Sequence, residues 1–389
     1  MSAGHPASAM RGFEACAAPG VRGLKPYQPG KPISELEREY GLRDIIKLAS
    51  NENPLGASPL ALEAMQAELA TLALYPDGGG FELRRALAER HGLSPDCVTL
   101  GNGSNDVLAL LAETFLQPGS EAVFSQYGFA VYPIAVQAAG GVARIAPALP
   151  SGAQQPLGHD LAAMAALLGE NTRLVFIANP NNPTGTWLEA EALRSFIAAA
   201  PAQTVVVIDE AYCEYAVQQG VPDASTWLRQ FPNLVVTRTF SKAYGLAGIR
   251  VGYSLSSPEI AGLLNRVRQP FNVNSLALAG AQAALQDQAF IQRSVASNAQ
   301  GLAQLREGLA QLGLVAPPSA GNFVLVDLGQ DSRPVFEALL RRGIIVRPVG
   351  NYGLPRHVRI TVGTAPQNQR LLVELAAVLQ ANGVTDAVR

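Results

Sequence analysis

Three short, almost wholly apolar runs constrain this chain more than any other feature. They are Leu174-Val175-Phe176-Ile177-Ala178, Val205-Val206-Val207-Ile208 and Leu234-Val235-Val236-Thr237. Runs of this length that are rich in β-branched residues and show no polar alternation read as strands buried on both faces. Weaker runs at 97–100, 122–125, 142–146 and 250–254 extend the series, and helical spacing at 107–116, 161–168 and 189–200 fills intervals between them. Strands separated by helices predict an α/β fold with a mostly parallel sheet covered on both sides. After Pro270 the pattern changes. A long helical stretch at 275–312 precedes strands at 323–328, 344–347 and 358–362 and helices at 335–342 and 367–382, which predicts a smaller α+β domain.

Each of the three runs ends in a polar cluster. The first is followed by Asn179-Pro180-Asn181-Asn182-Pro183-Thr184-Gly185, the second by Asp209-Glu210-Ala211-Tyr212 and the third by Thr239-Phe240-Ser241-Lys242. Ligands of open α/β sheets bind in the crevice outside the strand carboxyl ends, so the clusters are expected to converge. Lys242 has hydroxyls one and three residues before it and Arg250 eight residues after it. A lysine that attacks an aldehyde must be held and partly deprotonated, and a phosphate asks for hydroxyl donors and a guanidinium. Asp209, at the end of a buried strand, needs a cationic partner, which a pyridinium N–H would supply. Singly, each cluster has a plainer explanation: a surface lysine, a helix cap, an Asn-Pro turn. In this order and together they point to pyridoxal phosphate (PLP), which works through a lysine and an acid at its ring nitrogen.

Taken along the chain, residues 1–20 read as a disordered tail without a signal peptide. Leu24-Lys25-Pro26-Tyr27-Gln28-Pro29-Gly30-Lys31-Pro32 holds too many prolines for a helix and reads as an extended arm. A helix at 33–40, a polar loop at 48–56 and helices at 59–72 and 81–91 follow, the last two joined by the glycine turn Tyr75-Pro76-Asp77-Gly78-Gly79-Gly80. Gly101-Asn102-Gly103-Ser104-Asn105-Asp106, between a strand and a helix, is a candidate anion site made of free helix N–H groups, and it lacks the dinucleotide spacing. The expected division is 21–50 as arm and part of the small domain, 51–280 as the large PLP-binding domain and 281–389 as the small C-terminal domain. The net charge of −2, without a basic stripe, argues against nucleic-acid binding. Cys16, Cys97 and Cys213 are scattered, offer neither a disulfide framework nor metal-ligand spacing, and fit a reducing, cytoplasmic setting. No apolar run approaches membrane-spanning length.

With these residues assembled, the chain from about Val21 onward resembles the fold type I PLP aminotransferases. The likeness rests on Asn181-Asn182-Pro183-Thr184-Gly185, Asp209-Glu210-Ala211-Tyr212, Ser241-Lys242 and Arg250. Three further segments resemble the histidinol-phosphate aminotransferase family: the arm at 24–32, Leu48-Ala49-Ser50-Asn51-Glu52-Asn53-Pro54-Leu55-Gly56, and Arg359-Ile360-Thr361-Val362-Gly363-Thr364. The resemblance implies an aspartate-aminotransferase-like large domain in which Lys242 holds PLP and moves a proton. Asp209 pairs with the ring nitrogen, and Tyr212 and Asn182 with the ring 3-oxygen. Arg250, Thr239, Ser241 and the amides of Ser104 and Asn105 take the phosphate. It further implies that Arg359, assisted by Arg347 and by Tyr27 from the arm, binds the substrate anion. Tyr75 matches a tyrosine that reaches the neighbouring subunit's cofactor phosphate, which implies a homodimer with shared sites. The family's ring-stacking segment is altered here to Ser125-Gln126-Tyr127-Gly128-Phe129-Ala130-Val131-Tyr132. Spacing to Tyr132 favours Phe129 as the stacker and leaves Tyr127 open.

The expected reaction converts imidazole-acetol phosphate and glutamate to histidinol phosphate and 2-oxoglutarate, reversibly, in histidine biosynthesis. An aromatic amino-acid aminotransferase would use the same apparatus, because Arg359 serves a carboxylate as well as a phosphate. A PLP-dependent threonine-phosphate decarboxylase would differ only in the bond held perpendicular to the ring. A non-catalytic binding protein on the same fold should have lost Lys242 or Asp209, and both are present.

Overall fold

The computed structural model describes residues 12–381, and within them twelve strands fall into three sheets. In chain order these are β1 (Ile46–Lys47), β2 (Val98–Gly101), β3 (Glu121–Ser125), β4 (Val142–Ala146), β5 (Thr172–Ala178) and β6 (Val205–Asp209). They continue with β7 (Leu234–Thr239), β8 (Gly252–Leu255), β9 (Phe323–Asp327), β10 (Ile344–Ile345), β11 (Arg347–Val349) and β12 (Leu354–Thr361). The main sheet has the order β2-β8-β7-β6-β5-β3-β4, with β8 antiparallel to both neighbours and the remaining pairs parallel.

The apolar runs behave as their composition demands. Every residue of β6 and β7 is buried. Because side chains alternate across a strand, Val206 and Ile208 enter one core while Val205 and Val207 enter another on the opposite face. The first core is closed by Leu83 and Leu87 of the helix Phe81–His91, the second by Val107 and Leu111 of the helix Ser104–Phe115. A further core joins Val324 and Val326 of β9, Val358 and Ile360 of β12, and Leu371 and Leu375 of the helix Ala365–Ala381. Ile46 and Leu48 belong to it as well, since β1 pairs in parallel with β10 at Ile46↔Ile344.

Several elements differ from the sequence expectation for identifiable reasons. The helical stretch at 275–312 is two helices, Ser275–Gln286 and Gln288–Gln311. Asp287 divides them: its Oδ1 accepts the Phe290 N–H at 3.0 Å and its Oδ2 accepts the Ser58 hydroxyl at 2.6 Å. A capping carboxylate offers the backbone an alternative to helix continuation. The second of these helices carries Phe290 and Ile291 into the first large-sheet core and Leu302, Leu305 and Leu309 into the small-sheet core, tying the two together. The helix expected at 59–72 is α-helical only over Pro59–Glu68 and tightens to a 3₁₀ turn at Leu69–Thr71. The strand expected at 250–254 begins at Gly252, because Arg250 has φ +58°, which a strand does not accommodate. The strand expected at 344–347 is split at Val346, where the chain leaves β1 for β12. Helices Val131–Ala138 and Pro258–Val267 had no counterpart in the expectation. Of the tail expected at 1–20, residues 1–11 lie outside the described residues. Residues 12–20 include the helix Phe13–Cys16, and Gly20 packs so closely on Gln137 that a Cβ would lie 2.0 Å from its carbonyl oxygen.

Candidate active site

The carboxyl ends of β5, β6 and β7 open onto a cavity of about 240 Å³. Asp209 and Lys242 line it with Asn182, Tyr212, Thr239, Ser241, Arg250, Ser104, Asn105 and Phe129. Tyr27, Arg347 and Arg359 enter from the arm and the small sheet. Of the residues expected at the site, Tyr75 and the alternative stacker Tyr127 do not line the cavity. Tyr75 lies elsewhere on the surface. It is 83% exposed and stacks on Phe271 at 4.7 Å between ring centroids.

Asp209 ends β6 and is buried. Its Oδ2 accepts the Tyr132 hydroxyl and its Oδ1 the Thr237 hydroxyl, each at 3.0 Å. Burial raises its pKa, and the two hydroxyls and Lys242 pull only partly against that. Here the expectation of a cationic partner is informative. The carboxylate's hydrogen-bonding side chains are both neutral hydroxyls, so the cation that would balance it is not one of them.

Lys242 follows β7, and its Nζ donates to the Ser50 carbonyl at 3.1 Å, 5.8 Å from the centre of the Tyr212 ring. Burial, reinforced by Arg359 and Arg250 and opposed by Glu52, brings its pKa down to about 7. An amine so placed is partly free base at neutral pH, as a nucleophile must be.

The opposite end of the cavity is built for an anion. Ser104 and Asn105 begin the helix Ser104–Phe115, whose first N–H groups have no intrahelical partner. Arg250 Nη1 donates to Ser241 Oγ at 3.3 Å and to the Ala247 carbonyl at 2.9 Å. Its positive φ is backbone strain held at the site. Gly103 beside it has φ +86° and ψ 161°, a backbone conformation that suits glycine.

The third wall belongs to the small sheet. Arg347 and Arg359 are directly paired across β11 and β12, which is why both reach the cavity. Arg359 is buried. It donates from Nη1 to Asn182 Oδ1 at 2.6 Å and from Nη2 to the Ala49 carbonyl, while its Nε is buried without a partner. Arg347 donates to the Gln28 carbonyl at 2.6 Å and so ties the arm down beside Tyr27. The structure also separates the two stacking candidates. Phe129 lines the cavity, edge-on to Tyr132 at 5.9 Å, whereas Tyr127 packs with Leu325, Val349 and Leu354.

A buried acid, a desolvated lysine, an anion cradle and a second, partly unsatisfied arginine thus share one cavity. The family model for class I and II aminotransferases matches residues 43–375. The chain belongs to the class I and II aminotransferase family. It is 58% identical over 363 residues to histidinol-phosphate aminotransferase 2 of Methylococcus capsulatus, covering 93% of this chain and 98% of the relative. It is 57% identical over 372 residues to the protein of the same name from Pseudomonas aeruginosa, covering 95% and 99%. Among solved structures, histidinol-phosphate aminotransferase from Sinorhizobium meliloti in complex with pyridoxal-5'-phosphate superposes with a TM-score of 0.86 at 32% identity, covering 94% of this chain and 98% of the other.

In this aminotransferase the sequence reading overlooked three contributors. Tyr132, used only as a spacing marker, is the direct partner of Asp209. Thr237 looks in the sequence like an ordinary strand residue, and its register opposite Asp209 makes it the second partner. The segment 48–53, read as a polar loop, supplies carbonyls to both Lys242 and Arg359 and the Asn51 amide to Tyr212. Its density of Asn and Ser was a signal of buried hydrogen bonding, but nothing in the sequence named the partners. Among the described residues no group of three or more His, Cys, Asp or Glu is placed to hold a metal ion.

Proposed function

We propose that the chain is a PLP-dependent aminotransferase interconverting histidinol phosphate and 2-oxoglutarate with imidazole-acetol phosphate and glutamate. The observation that carries this reading is the buried Arg359 in the same cavity as Lys242 and Asp209, with its Nε still unpartnered. A buried guanidinium with an unused donor fits a substrate anion, phosphate or carboxylate, brought against the lysine. The names of the relatives support the choice of substrate.

The donor set fits PLP: an uncompensated buried carboxylate for a ring N–H, and hydroxyl, amide and guanidinium donors for a phosphate. Bound PLP supplies an electron sink that makes the substrate Cα–H acidic. Lys242 holds the cofactor and takes the proton from substrate Cα at its Nζ, a role worth about 10²–10⁴-fold. Asp209 keeps the ring nitrogen protonated, held by Tyr132 and Thr237. Tyr212 and Asn182 would donate to the ring 3-oxygen, and Phe129 would cover the ring. Arg250, Ser241, Thr239 and the amides of Ser104 and Asn105 hold the cofactor phosphate, and Arg359, Arg347 and Tyr27 orient the substrate.

The same reading makes the protein a cytoplasmic homodimer, with 51–280 as its large domain and 21–50 and 281–389 contributing to the small one. Exposed Leu72, Leu74, Phe81 and the Tyr75–Phe271 stack form an apolar face suited to a second copy, into whose cofactor site Tyr75 would reach. Among the described residues no helix is long and apolar enough to cross a membrane.

The test is an absorption spectrum followed by addition of histidinol phosphate without an oxo acid. The visible band of bound cofactor should be lost and then restored by 2-oxoglutarate. A band that responds instead to aromatic amino acids, or carbon dioxide released from phosphothreonine, would replace the substrate assignment. No band after added PLP would overturn the cofactor assignment.

A further inference from the structure

Asn51 stands where the large sheet and the small sheet meet, and the roles given above leave it unassigned. It is 1% exposed, with φ +56°. Its N–H donates to Thr361 Oγ1 at 2.9 Å and its carbonyl accepts from Asn322 Nδ2 at 3.0 Å. Its side chain lies between Thr361 Oγ1, at 3.1 Å from Oδ1, and the Tyr212 hydroxyl, at 2.9 Å from Nδ2.

The directions of these bonds follow from donor and acceptor chemistry. Thr361 Oγ1 accepts the Asn51 N–H, and Asn51 Oδ1 is the one side-chain acceptor its own proton meets among the described residues. With Oδ1 against Thr361, Nδ2 lies against Tyr212. An amide nitrogen donates and does not accept. The Tyr212 oxygen is therefore the acceptor, and its own proton must point elsewhere. Asn51 makes the one hydrogen bond to this hydroxyl among the described residues, and Tyr212 lines the cavity.

We propose that Asn51 is a positioning residue that occupies the acceptor side of the Tyr212 hydroxyl and so presents the phenol proton to the cavity. This rests on the reading in which Tyr212 faces the cofactor's 3-oxygen. The charged and titratable groups around Tyr212 are Lys242, Asp209, Arg359 and Tyr352. They set the electrostatics of the phenol, whereas Asn51 sets its direction. Burial raises the pKa of Tyr212, so the proton to be directed is retained.

The holoenzyme tests it through two variants. Asn51→Gly removes the amide and suits the positive φ without strain. Asn51→Asp keeps the size and tolerates the same backbone, but its carboxylate accepts and draws the phenol proton back. The readouts are the pH midpoint of the bound cofactor's visible absorbance and the thermal midpoint. A hydroxyl donor favours the anionic 3-oxygen, so losing it should raise the absorbance midpoint, by about half a pH unit in Asn51→Gly and about one in Asn51→Asp. Thr361→Val, which unpins the amide, should move it in the same direction and serves if either variant fails to fold. An unmoved absorbance midpoint with a lowered thermal midpoint would mean that Asn51 only braces the loop, and would overturn the proposal. A wild-type protein without a visible band would instead sink the cofactor reading beneath it.

Discussion

Asp209 and Glu210 are consecutive residues at the end of one strand, and the protein holds them by opposite means. Asp209 faces the cavity and is given two neutral hydroxyls. Glu210 turns to the other side and is given a cation: Arg238 Nε and Nη2 meet its Oε2 at 3.0 and 2.6 Å. Glu210 Oε1 accepts the Ala224 N–H at 2.7 Å, and Arg238 also reaches Asp223. The neighbouring strand repeats the division, since Thr237 serves Asp209 and the next residue, Arg238, serves Glu210. Glu210, Arg238 and Asp223 form a closed group of ion pairs. Asp209 is a buried charge left open to a ligand. Of these two neighbouring carboxylates, the one without a cation is the one that lines the cavity.

The contrast can be broken most sharply from the structural side. Arg238→Ala leaves Glu210 buried without its cation and should cost about 3–5 kcal/mol in denaturant unfolding. Arg238→Met combined with Glu210→Met should recover most of that loss. If the single variant unfolds like wild type, the pair is not the brace described here.

From the functional side, Asp209→Asn is nearly isosteric and removes a charge that the fold does not neutralise. Thermal stability should hold or rise, while exchange of the substrate Cα–H for deuterium should fall about 10²–10³-fold, the scale of losing one preorganised electrostatic group. A large loss of stability with unchanged exchange would put Asp209 in the same class as Glu210.

Lys242 extends the comparison to a cation, with a smaller expected effect. A lysine pKa lowered to about 7 means that protonation is lost as the pH rises through that value. In cofactor-free protein, the rate of PLP attachment should drop about tenfold for each pH unit below 7 and level off above it. A midpoint near the ordinary lysine value would show that Lys242 is solvated and not poised.

Much of this was legible from local chemistry. Unbroken apolar runs can be buried only on two faces, so Leu174, Val206 and Val236 declared a covered parallel sheet. Polar clusters just past such runs fall at its carboxyl edge, so Asp209, Lys242 and Asn182 could be placed in one cavity before any coordinates. Less legible were elements set by a single cap or a single backbone angle, such as the break at Asp287 and the late start of β8 after Arg250. The same holds for the register that pairs Arg347 with Arg359.

The sequence by itself determined the sheet, the cofactor chemistry and the candidate residues that share one cavity, because burial and reactivity are properties of residue type and spacing. Tertiary structure alone decided which partner each buried group received. Tyr132 reaches Asp209 across 77 positions, Asn51 reaches Tyr212 across 161 and Arg359 reaches Asn182 across 177. A hydrogen bond selects its partner by distance and direction in space, and neither is written in the spacing of a linear chain.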